Sequence, residues 1–351
     1  MSGSGDSMNE PFFVLSSGRS GSTLLASMLN MHSRIYIPVE LFGLYSYLPR
    51  RLPWYGDLDR EINLWRLALD LRHVGHMRQI DEGFDPDLFV SLMKEKCKCY
   101  SSVIQAFYEV LCEVSGKPVV GDKTPNNMPY FRLISETFPE SRFVHLVRDG
   151  RDCAISSMKW REGVQFRNLY ELASSWCRTN LAMAGFGKEN PGRYLLLRYE
   201  DLIQDPEMEL GRVCEFLGEG FERAMLEFSG GGFARKNAEA LGHHGNLGRG
   251  LLRENKGKWK AKMSDGEVML HDALAGSALA EFGYPVRSGA RGVRWRVSLL
   301  GGWGVTTGRR VLRKLRGSWL EGKFRALLFV KRMLGVVRLR ELFVRKPSAV
   351  R

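Results

Sequence analysis

The sequence predicts an α/β protein, a parallel β-sheet flanked by helices. Short apolar runs alternate with segments of helical spacing, the first run ends in a Gly/Ser loop that opens into a helix, and no internal repeat competes. The 351 residues are 44% hydrophobic and 26% charged, a globular balance that excludes wholesale disorder, collagen and coiled coil.

Residues 1–10 are polar and Ser/Gly-rich and read as a disordered start. Residues 11–286 read as one α/β domain. In it, Pro11-Phe12-Phe13-Val14-Leu15 predicts a buried strand that stops at Ser16-Ser17-Gly18, and residues 24–31 follow as a helix with apolar groups on nearly every turn. Residues 41–114 are rich in Leu, Arg, Tyr and Trp at helical spacing, with Pro49, Pro53 and Pro86 as breakers. They predict a helical insertion covering the sheet. Three further strands are expected at 118–120, 142–147 and 194–197, and the helices between them make the sheet parallel.

Residues 287–351 form a distinct extension. From Val286 onward, 18 Lys and Arg face two acids, a charge of +16, while the rest of the chain nets −3 within a total of +13. Over 309–344, Leu312, Leu315, Trp319, Leu320, Phe324, Leu327 and Leu328 recur at three- and four-residue steps among Arg and Lys, which predicts a basic amphipathic helix. Its interleaved Trp319, Phe324, Phe329 and Phe343 suit an anionic membrane surface better than nucleic acid. Packing on the domain is the other reading of the same pattern. No stretch approaches the roughly 20 apolar residues that span a bilayer. The six cysteines include no CxxC pair and read as reduced thiols, and the start has no signal-peptide pattern. The expectation is a cytoplasmic protein, peripheral on the inner membrane face.

The loop Ser17-Gly18-Arg19-Ser20-Gly21-Ser22-Thr23 lies between strand and helix, where backbone N–H groups and the helix dipole favour a phosphate. Its glycines admit an anion closely, and Ser22 and Thr23 add hydroxyls. The sheet is therefore expected to be P-loop-like, although Ser22 stands where a Walker A loop has Lys. A second anchor follows the 142–147 strand: Arg148 at its carboxyl end and Ser156 two helical turns on. Guanidinium and hydroxyl suit a phosphate monoester. Taken alone, the pair reads more often as a surface ion-pair partner and a helix hydroxyl.

In order and spacing, these residues resemble the nucleotide-dependent sulfotransferases, in particular the tyrosylprotein-sulfotransferase-like branch and its bacterial relatives. Gly18-Arg19-Ser20-Gly21-Ser22-Thr23 resembles the family's 5′-phosphosulfate loop, Arg148 and Ser156 its 3′-phosphate pair, and Gly121-Asp122-Lys123-Thr124-Pro125 its lysine-bearing strand end. Arg198-Tyr199-Glu200-Asp201-Leu202 with Asp205-Pro206, and Gly257-Lys258-Trp259-Lys260, resemble its tyrosine and late tryptophan segments. The likeness runs from Phe12 to about Pro285 and puts 41–114 on the acceptor side.

The resemblance implies a sulfuryl transfer from 3′-phosphoadenosine 5′-phosphosulfate (PAPS) to a hydroxyl-bearing acceptor, with no metal. It implies Glu40 as the base, Lys123 and Arg19 as stabilisers of the leaving phosphate, Tyr199 on or near the adenine and Arg249 near the 3′-phosphate. Without it, Glu40 reads as a helix start, Lys123 as a solvated Lys before a turn and Tyr199 as a core tyrosine. Two departures stand out. Val39 replaces one member of the acidic pair that protein-tyrosine enzymes carry, and Trp160 occupies a position where relatives have Arg, so that either Lys159 or Arg161 substitutes or the contact is missing. A nucleoside-phosphate kinase, and a membrane-surface module working through the basic tail, are the alternatives.

Overall fold

The computed structural model describes residues 10–77, 83–159, 168–233 and 250–287. Arg249, Trp160, Arg161 and the expected helix over 309–344 lie outside the described residues.

Five strands form one parallel sheet: β1 (Phe12–Ser16), β2 (Ile35–Tyr36), β3 (Val119–Asp122), β4 (Phe143–Val147) and β5 (Tyr194–Arg198). Their order is β2-β3-β1-β4-β5. Every residue of β1 and β4 is buried, as expected of central parallel strands covered on both faces. The register sets Phe13 beside Phe143 and Ser16 beside Leu146. β2 was not among the expected strands, because two residues carry no period.

Alternation along β1 feeds two cores. Phe13 and Leu15 enter a cluster with Phe89, Val103, Phe107 and Tyr108, contributed by the helices Pro86–Lys94 and Tyr100–Ser115. Residues 41–115 thus place helices on one face of the sheet. Phe12 and Val14 pack on the other face against Leu25 and Leu29 of the helix Ser22–Asn30, and against Leu210 and Val213 of the helix Pro206–Leu217.

Local chemistry fixes the helix ends. Asp85 accepts from the Asp87 and Leu88 N–H groups while Pro86 takes the first turn, and Ser264 with Glu267 forms a reciprocal cap on the helix Asp265–Glu281. That last helix packs along Leu169–Glu189, and together they bury Trp176, Ala275 and Leu279 beside Val147. Among the described residues no helix is long and apolar enough to cross a membrane.

Candidate active site

β1 has β3 on one side and β4 on the other, so the chain reverses its winding direction there. In an open α/β sheet the carboxyl ends at such a switch point form a ligand crevice. Here they deliver the loop 17–21, Lys123 and Arg148.

The loop turns tightly. Arg19 has φ 69° and Gly21 has φ 91°, both in the left-handed region that costs non-glycine residues energy. Gly21 is the N-cap of Ser22–Asn30, and a side chain there would meet Tyr199, whose Cδ2 stands 2.3 Å from an added Cβ. The ring and the bare backbone are in contact, and the first amides of the helix open toward the loop.

Arg148 is buried at 6% exposure. Its Nη1 donates to Arg19 O at 3.3 Å and its Nη2 to Asn255 O at 2.8 Å. The guanidinium lies over the Tyr199 ring, 4.5 Å from the centroid, and Asn255 Nδ2 donates to Tyr199 OH at 2.7 Å. Arg148 Nε has no hydrogen-bond partner among the described residues. A buried N–H left unpaired is costly, the more so on a cation, so this atom fits an anionic oxygen. Arg19 Nε donates to Ser156 Oγ at 3.1 Å. The two anchors, expected as separate phosphate sites, therefore touch.

A second layer holds this wall. Asp152 accepts from the Gly257 N–H at 2.7 Å and the Trp259 N–H at 2.9 Å. Arg151, fully buried, pairs with Asp149 at 2.8 Å and lies 3.8 Å from the Trp259 ring centroid. Burial pushes the Asp152 carboxyl up from its ordinary value.

On the other side, Lys123 is 1% exposed and its Nζ donates to Glu40 Oε1 at 2.8 Å and to Thr23 Oγ1 at 3.3 Å. The end of β3 thus places a lysine against the loop, at Thr23. Glu40 also lies within electrostatic reach of Arg19, whose guanidinium burial lowers from its ordinary value. The Glu40 backbone is held by a turn: its carbonyl accepts from the His76 N–H at 3.0 Å, and an added Cβ on Gly75 would stand 2.0 Å from that oxygen. Behind Lys123, Asp122 accepts from Thr124 Oγ1 at 2.6 Å, Tyr108 OH at 2.7 Å and Asn127 Nδ2 at 2.9 Å. Burial pushes its carboxyl up to about 6.

Glu40, Lys123, Arg19, Thr23, Arg148, Ser156 and Tyr199 therefore converge on one crevice with Gly18, Gly21 and Ser22 of the loop. Ser20 is fully buried and its hydroxyl faces Cys153 Sγ at 3.6 Å, so its backbone is what it can offer to a ligand. Tyr199 meets Gly21 with its ring edge and Arg148 with its ring face. Asn255 and Gly75 were not singled out from sequence; the first acts through its carbonyl and its amide and the second through the space its missing side chain leaves, which residue type alone does not announce. Among the described residues no group of three or more His, Cys, Asp or Glu is arranged to hold a metal ion.

A family model described as "Sulfotransferase family" matches residues 11–223. An uncharacterized protein of Aquifex aeolicus is 24% identical over 270 residues, 74% of this chain and 32% of that protein. A putative protein-tyrosine sulfotransferase of Caenorhabditis briggsae is 25% identical over 219 residues, 61% of this chain and 67% of that protein. The chain thus spans about a third of the first relative's length and two thirds of the second's. The sulfotransferase domain of the Synechococcus PCC 7002 olefin synthase superposes with TM-score 0.54 at 24% identity, covering 80% of this chain and 98% of that domain. That likeness shows a shared fold.

Proposed function

The chain belongs to the sulfotransferase family, and on that premise we propose that it moves a sulfuryl group from PAPS to a hydroxyl of an acceptor, with Glu40 as base. The observation that carries this is Lys123 Nζ standing between the phosphate loop, at Thr23 Oγ1, and Glu40 Oε1, at 3.3 and 2.8 Å. The donor chemistry fits the residues present: the unpaired Arg148 Nε, the Ser156 hydroxyl and the loop amides are all donors suited to the oxygens of a bisphosphate nucleotide.

PAPS supplies an activated sulfuryl group. Glu40 takes the proton of the acceptor hydroxyl as its oxygen bonds to sulfur, and the bond from sulfur to the 5′-phosphate oxygen breaks in line. Lys123 and Arg19 stabilise the charge that gathers on the departing phosphate. Arg148 and Ser156 hold the 3′-phosphate, with Arg249 as a further basic contact. Tyr199 fixes the Arg148 fork and lies against the loop on the adenine side.

Relatives include carbohydrate sulfotransferase 1 of Danio rerio, 27% identical over 177 residues, and the acceptor class in our reading is a hydroxyl of a glycan, lipid or small molecule. The sequence over 309–344 brings the enzyme to an anionic membrane surface, on the cytoplasmic side. Replacing Trp319 and Phe324 with Ser should then release the full chain from phosphatidylserine vesicles in a sedimentation assay; unchanged binding contradicts the tail's role. The transfer itself is tested by incubation with PAPS and panels of hydroxylated glycans, lipids and phenols. Acceptor-dependent release of 3′-phosphoadenosine 5′-phosphate (PAP) is expected, and sulfuryl transfer by Glu40→Gln at the wild-type rate would overturn the assignment.

A further inference from the structure

A line of four polar side chains ends at the phosphate loop. Tyr194 OH lies 2.8 Å from His145 Nδ1, His145 Nε2 lies 2.9 Å from Asn180 Oδ1, and Asn180 Nδ2 lies 2.9 Å from Ser17 Oγ. The donor directions are fixed by the contacts. Asn180 Nδ2 also donates to Trp176 O at 2.7 Å, which sets the nitrogen end of the amide. Its oxygen can only accept, so His145 carries a proton on Nε2. Burial pushes the imidazole down to about 4, leaving a single ring proton at neutral pH, and Nδ1 then accepts from Tyr194 OH.

At the other end, Ser17 Oγ accepts from Asn180, so its own proton points elsewhere. The acceptor it meets is Met128 Sδ at 4.0 Å, a weak one. Ser17 is half-buried at the carboxyl end of β1, one residue before Gly18. It is turned toward the 3-10 turn Pro125–Tyr130, which begins two residues after Lys123. The loop amides, Arg148 and Ser156 already answer the phosphates. The group left to meet a hydroxyl on the Lys123 side is the one being transferred.

We propose that Ser17 donates a hydrogen bond to a sulfuryl oxygen of the donor, aimed by Asn180 and His145. The inference rests on the sulfotransferase reading. Calorimetric titration of the full chain with PAPS and with PAP, which lacks the sulfuryl group, tests it without needing the acceptor. Ser17→Ala should weaken PAPS binding about fivefold, the worth of one neutral hydrogen bond, while PAP affinity stays at wild type; Ser17→Thr should retain both. Asn180→Ala removes the amide that aims the hydroxyl, so Ser17→Ala added to it should cost no further PAPS affinity; where Asn180→Ala does not fold, the Ala and Thr pair at Ser17 decides. No loss, or equal losses for PAPS and PAP, overturns the inference. A wild-type chain that binds neither nucleotide overturns instead the reading on which it rests.

Discussion

Lys123 Nζ and Glu40 Oε1 stand 2.8 Å apart, the lysine buried behind the carboxylate. The lysine follows β3 and the glutamate precedes the helices of 41–115, so two distant segments bring acid and cation to one point. Glu40→Gln keeps the shape and a hydrogen-bond acceptor for Lys123 but removes the base. Steady-state transfer should fall about a hundredfold or more, with PAP affinity unchanged by calorimetry. Equal losses in turnover and PAP affinity would make Glu40 a structural partner of Lys123.

The contact between Gly21 and Tyr199 predicts a different phenotype. Gly21→Ala adds a methyl 2.3 Å from the ring at a φ of 91°, so Tyr199 and the Arg148 guanidinium on it must shift. Chemical denaturation should show a loss of about 1–3 kcal/mol, and PAP affinity should drop at least tenfold. Turnover falls as a consequence.

Gly75 should act on the base alone. An alanine there collides with the carbonyl oxygen of Glu40 and moves its backbone, away from Arg148 and Ser156. We expect Gly75→Ala to lower the turnover number while PAP affinity stays near wild type, the reverse of the Gly21→Ala pattern.

His145 gives a pH signature. Burial lowers it to about 4, below the roughly 6.5 of an unfolded histidine, so on acidification the unfolded chain takes this proton first. Its contribution is fully present above about pH 6.5 and is lost as pH falls toward 4, by about 3 kcal/mol in all. Urea midpoints of wild type and His145→Gln should converge over that window. A constant gap would mean that the imidazole is solvated.

The sheet was legible because β1, β4 and β5 are apolar runs bounded by turn residues, and the anchors because they occupy strand ends. Strand β3 runs on through Gly121 and Asp122, which no apolar pattern marks. The walls of the site were hidden for another reason. Asn255 bridges Arg148 and Tyr199 across more than 50 residues, and the Asn180 to Ser17 bond spans 163. Such pairings arise only once the sheet has brought the strand ends together, and the side chains involved have ordinary surface chemistry.

We read this crevice as the site of a 3′-phosphorylated adenine nucleotide. Calorimetric titration of the full chain with PAP, and with ADP and ATP in the presence of Mg²⁺, tests it most directly. Micromolar PAP binding is expected, about −8 kcal/mol, that requires the 3′-phosphate, is indifferent to Mg²⁺ and falls at least tenfold in Arg148→Ala. Preference for ATP with Mg²⁺, or PAP binding unchanged in Arg148→Ala, would contradict it.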